Sequence, residues 1–103
     1  MNTDLICKLV HQGRIQWQGH AFERMMERNI SRDDVKNILI EGELIEDYSD
    51  DYPLPSGLYH GFNNQRPLHV VVALDLETEW CYIITAYRPD SEHFEQDFKT
   101  RKK

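Results

Sequence analysis

Long apolar runs are missing from this chain, so no segment has the length needed to cross a bilayer. Met1 to Gln12 lacks the basic start and apolar centre of a secretory signal, and the expected location is therefore the cytoplasm. Cysteine is nearly absent as well. Cys7 and Cys81 stand far apart, with neither CxxC nor Cys/His spacing. That argues against zinc and predicts two thiols packed as small apolar residues in a reducing compartment. The clustered histidine and carboxylate spacing of a metal hydrolase is also lacking, so the expected site uses no metal and no cofactor. No repeat, linker or low-complexity segment divides the 103 residues, a length that supports one domain (1–103) with a single modest core. Basic residues are scarce in the middle of the chain, where only Arg66 intervenes between Lys36 and Arg88. The net charge of −6 disfavours tight non-specific binding of nucleic acid, whose affinity comes mainly from phosphate neutralisation. A local basic site remains compatible with it.

What is present is unevenly placed. The stretch 41–51 carries Glu41, Glu43, Glu46, Asp47, Asp50 and Asp51 with no base, whereas Lys99, Arg101, Lys102 and Lys103 make the extreme C-terminus basic. The acidic run reads as a solvated edge and loop, with a docking surface for a basic partner as the alternative. The basic tail, 99–103, reads as frayed and solvated, with attraction of RNA as the alternative.

Leu5, Ile6, Leu9 and Val10 form the apolar stripe of a first helix, with Thr3 as its N-cap and Gly13 as its stop. Ile15 and Trp17 alternate with polar residues, as a short strand or an extended entry to the second helix. That helix places Ala21, Phe22, Met25 and Met26 on one face and His20, Glu23, Arg24, Glu27 and Arg28 on the other. Ser31, with Asp34 three residues on, opens a third helix that buries Val35, Ile38 and Leu39 and ends at Gly42. The period then changes. Strands are expected over 44–48, 58–62, 67–75 and 79–88, with turns through Pro53, Pro55, Ser56 and Gly57 and through 63–66. Helices followed by a meander predict an α+β domain, with two to three N-terminal helices packed on one face of a roughly four-stranded antiparallel sheet. Ser91 to Lys103 is expected to add a short, half-docked helix through Phe94 and Phe98. The polarity pattern predicts a last hairpin in which residue 75 pairs with 79, His69 faces Thr85, Val71 faces Ile83 and Ala73 faces Cys81. His69, Thr85 and Tyr87 then share the open face, while Trp80, Tyr82, Ile84 and Ala86 join Leu68, Val70, Val72 and Leu74 against the helices.

Two constellations bear chemistry: His20 heading a helix face with Arg24 and Arg28, and the strand residues His69, Thr85 and Tyr87. Each also has an ordinary structural reading, as Glu–Arg pairs on a solvated helix face and as a histidine bonded to a carbonyl or hydroxyl. The ordered motifs carry a resemblance. His20-x-x-Glu23-Arg24-x-x-x-Arg28-x-Ile30-Ser31 is followed by Val35, Gly42-Glu43, Tyr48, Pro53 and Pro55-Ser56. Leu68-His69-Val70-Val71-Val72 and Thr85-x-Tyr87-Arg88-Pro89-Asp90 complete it. Over 17–101 the chain resembles the domain of unknown function (DUF) 4258 family, with Asn29 where glycine is usual and Phe94 where tryptophan is frequent; the helical residues 1–12 fall outside. The resemblance implies a helix-then-sheet order similar to the RelE-like and BrnT-like toxins of bacterial toxin–antitoxin systems, small ribonucleases neutralised by an antitoxin protein.

On that reading the protein is a toxin-like, metal-independent endoribonuclease acting on RNA. His20 and His69 serve as acid and base, Tyr87 stacks on a base or donates to the phosphate, and Arg24, Arg28 and Arg88 hold phosphate oxygens. The other reading is a non-catalytic interaction module, or an inactive toxin relative, that binds a partner through its acidic surface or a sheet edge. The residues leave the oligomeric state open.

Overall fold

The computed structural model describes residues 1–102, and Lys103 of the basic tail lies outside them. Helix α1 (Thr3–His11) is capped by Asn2, not Thr3: the Asn2 side chain accepts the Leu5 amide at 3.0 Å. Gly13, at φ 73, turns the chain into strand β1 (Ile15–Trp17). Helix α2 (Gly19–Glu27) follows and buries Ala21 and Met25, while Met26 stays 66% exposed. Asn29 leaves it in the left-handed conformation, at φ 60, that asparagine tolerates. The expected capping box opens α3 (Arg32–Glu41), with Ser31 and Asp34 each bonded to the other's backbone amide. Gly42 ends α3 where the helix meets the sheet, and a Cβ there would lie 2.5 Å from the Ile38 carbonyl oxygen and 2.6 Å from that of His60.

Strands β2 (Glu43–Tyr48), β3 (Ser56–Asn63), β4 (Arg66–Asp75) and β5 (Trp80–Tyr87) form the expected meander. Among the described residues the sheet has five strands in the order β1-β5-β4-β3-β2, and β1 runs parallel to β5. The sheet is therefore mixed, which corrects the four-stranded antiparallel expectation. The short strand foreseen as one option at Ile15–Trp17 forms, but its partner lies far along the chain, where no local pattern reports the pairing.

The last hairpin is also re-registered. Asp75 pairs with Trp80 because Asp75 accepts the Glu77 and Thr78 amides and Glu79 takes φ 57, which lengthens the turn. A bulge at Ile84 then shifts the ladder, so that Val72 faces Ile83, Val71 faces Thr85 and His69 faces Tyr87. Cys81 and Ile83 enter the core, whereas Trp80, Tyr82 and Ile84 turn away from the helices, against expectation. The run Trp80 to Ile84 is apolar throughout, so alternation could not choose between its faces.

One core joins Ile6, Leu9, Met25, Val35 and Ile38 of the helices to Leu68, Val70, Val72, Leu74, Ile83 and Ala86 of the sheet. The opposite sheet face is covered at one end by the C-terminal segment. That segment is not helical: Phe94 pairs with Arg101 in an isolated antiparallel bridge, and residues 89–102 lie as a strap. Among the described residues no helix is long and apolar enough to cross a membrane.

Candidate functional site

Successive open-face residues of β4 are Ala73, Val71 and His69, and beyond His69 the strand starts at Arg66. At that end three guanidinium groups from separate elements meet in one cleft of ≈650 Å³. Arg28 follows the last turn of α2, and its Nη1 donates to the Ala86 carbonyl at 2.8 Å. Arg66 is the first residue of β4, paired with Asn63. Arg88 directly follows β5; its Nη1 donates to the Pro67 carbonyl and its Nη2 to Asn63 Oδ1, each at 3.3 Å. Asn63 in turn donates to Asp34 at 2.8 Å, so the α3 capping box sets the platform beneath Arg88.

Arg28, Arg66 and Arg88 form no ion pair with a carboxylate among the described residues. Burial first, and then the like charge of Arg66, hold the Arg88 guanidinium below its ordinary value. Its Nε is buried without a partner. Cations that repel one another in a partly enclosed cleft are stabilised by an anion placed between them.

The strap supplies the far wall. Arg101 is held by Glu46 through Nε at 2.8 Å and Nη2 at 3.1 Å, and it stacks over Phe94 at 5.0 Å. His93, exposed, places Nδ1 2.9 Å from Asp90 Oδ1. This bond holds the Asp90 carboxyl below its usual range. Nδ1 of His93 is thus committed to the Asp90 carboxylate, which leaves Nε2 as the other ring nitrogen.

Behind the cleft, Glu43, His60, His69 and Tyr87 form one row across β2, β3, β4 and β5. His69 is fully buried between Phe94, Tyr87 and His60. Its Nε2 donates to the Phe98 carbonyl at 2.7 Å, and the Tyr87 hydroxyl lies 3.3 Å from Nδ1. Burial pushes the His69 pKa down to about 4 and lowers that of His60. Burial also raises the Tyr87 phenol above its ordinary value, so it stays protonated at neutral pH.

Of the residues singled out from the sequence, Arg28, Tyr87 and Arg88 line this cleft. His69 lies directly behind it, closed off by the strap. His20 stands elsewhere on α2, with a side chain 97% exposed and 4.0 Å from Glu23. Arg24 is exposed on the same helix and does not line the cleft. His20 and His69 are thus not brought into one cleft. Sequence reasoning missed Arg66, His93 and Arg101, which enter by tertiary proximity; the only local signal was the Asp90-x-x-His93 spacing.

The model of the family described as domain of unknown function (DUF4258) matches residues 17–88. The chain belongs to the DUF4258 family. No curated protein matches it. The DUF4258 portion supplies Arg28, Arg66, His69, Tyr87 and Arg88, whereas Asp90, His93, Phe94 and Arg101 lie beyond the matched residues. The cationic floor of the cleft thus lies within the matched residues, and the strap wall lies beyond them.

Proposed function

We propose that the arginine cleft binds the phosphodiester backbone of RNA and that the protein is a toxin-like, metal-independent endoribonuclease. The observation that carries this reading is the convergence of Arg28, Arg66 and Arg88, none paired with a carboxylate, in a chain of net charge −6. Concentrating the few available cations on one concave surface favours a polyanion there despite the overall acidity.

Cleavage needs a base for the 2′-hydroxyl proton, an acid for the leaving 5′-oxygen, and donors for the charge on the pentacoordinate phosphorus. His93, oriented by Asp90, takes the 2′-hydroxyl proton as that oxygen bonds to phosphorus. The phosphorus–5′-oxygen bond breaks, and the Tyr87 phenol supplies the proton to the leaving oxygen. Arg66 and Arg88 hold the non-bridging oxygens. The products are a 2′,3′-cyclic phosphate and a 5′-hydroxyl, and the acid–base pair is His93 with Tyr87 in place of His20 with His69. An antitoxin protein that masks the cleft belongs to the same proposal.

The test is cleavage of labelled RNA by purified protein in EDTA. His93→Ala is expected to slow cleavage by roughly 10²–10⁴-fold, as loss of a general base does. Arg66→Ala is expected to weaken RNA binding, and His20→Ala to cleave at the wild-type rate. Absence of cleavage over a broad range of RNAs, or loss of it in His20→Ala alone, overturns the reading.

A further inference from the structure

The other end of the open sheet face has a different character. Tyr48, Ser56, Ala73, Tyr82 and Gln16 stand opposite one another in a single row across all five strands. Directly paired residues project to the same face. Two small residues, Ser56 and Ala73, therefore form a floor between two tyrosines whose Cα atoms are about 14 Å apart, three strand spacings. The loop after β2 adds Tyr52 and Leu54 to one side, and the Ile84 bulge adds its side chain to the other. The resulting trough has a volume of ≈450 Å³, the size of cavities that take small ligands and peptide side chains.

Two observations say what fits it. Three of the large hydrophobic residues left exposed by the fold, Tyr48 (39%), Tyr52 (95%) and Ile84 (48%), border this trough. Among the described residues no lysine, arginine or histidine lines it, whereas Asp51 does, fixed against the floor by the Ser56 hydroxyl, with Asp50 next to it in the chain. Tyrosine faces beside a carboxylate attract a cation that brings apolar surface with it.

We propose that this trough docks a basic segment of a partner polypeptide, with an arginine or lysine side chain against the tyrosines and Asp51 and an apolar neighbour on the Ala73 floor. Because the trough and the arginine cleft share no lining residue, the proposal stands whether or not the cleft cleaves RNA.

The experiment titrates ¹⁵N-labelled protein with an alternating arginine–leucine pentapeptide and with its glutamine–leucine counterpart, and measures affinity by fluorescence anisotropy. The arginine peptide is expected to shift the amides of Val71, Ala73, Tyr82 and Ile84 and to bind about tenfold more tightly than the glutamine peptide. Tyr52→Ala and Asp51→Asn are each expected to weaken it by roughly five- to tenfold, with an unchanged unfolding temperature. Equal affinity for the two peptides would make the trough a plain apolar groove and overturn the proposal. Shifts confined to other surfaces, or no binding, overturn it too. Concentration-dependent self-association that the arginine peptide does not compete would assign the face to a second copy of the chain.

Discussion

His69 shows how far one residue's surroundings can move its chemistry. Its imidazole donates to the Phe98 carbonyl and has no route to water, so a second proton must enter a buried site. The folded pKa, about 4, lies below the ordinary histidine value of 6.5. The unfolded chain therefore binds more protons between those values, and stability is fully present above about pH 6.5 and is lost as the pH falls toward 4. The expected loss is on the order of 3 kcal/mol. Urea unfolding at a series of pH values should show this slope, and His69→Gln should flatten it. The Asp90 and Asp97 carboxyls are held low by their own hydrogen bonds and titrate below that window. Asn29 and the Ser31–Asp34 capping box were readable directly, because the physics of each is local.

Among the elements, the strap gives the sharpest expectation. Phe94 is 2% exposed and packs on the His69 ring at 4.7 Å, while Arg101 and Lys99 reach Glu46 and Glu43 on β2. The acidic run thus has a structural use at Glu43 and Glu46, and the basic tail is tied down through Lys99 and Arg101. Phe94→Ala should cost about 3 kcal/mol, the lower end of the range for a buried phenylalanine. It should also open His69 to water, so that the ring titrates nearer its ordinary value when followed by NMR. A loss of stability with no change in the titration would show that the strap is held over His69 by other contacts. The periodicity of Phe94 and Phe98 suggested a helix, but Phe98 takes φ 57 and the chain instead folds back through the Phe94–Arg101 bridge. Burial of one ring and two ion pairs outweighed local helical preference.

At the scale of the whole molecule, charge is segregated along the open face. The arginine cleft lies beyond the His69 end, and the tyrosine trough with Asp51 lies at the Ala73 end. If three guanidinium groups neutralise single-stranded RNA phosphates, log K should fall against log salt with a slope of about −2. Arg66→Ala should reduce that slope by a little under one, as measured by anisotropy at several salt concentrations. A slope that the substitution leaves unchanged would place the RNA elsewhere on the surface.

The sequence by itself determined the local matters: three amphipathic helices, the Ser31–Asp34 capping box, the four strands of the meander, and the α+β order that follows from helices preceding strands. Each depends on residues within a few positions of one another. The tertiary structure alone decided the parallel pairing of β1, the Ile84 bulge, and the folding of the strap over His69. It alone brought Arg28, Arg66 and Arg88 together, and it separated His20 from His69. These depend on pairings between distant segments, where the choice of register rests on how side-chain volumes fill a shared core. No local pattern of polarity encodes that choice.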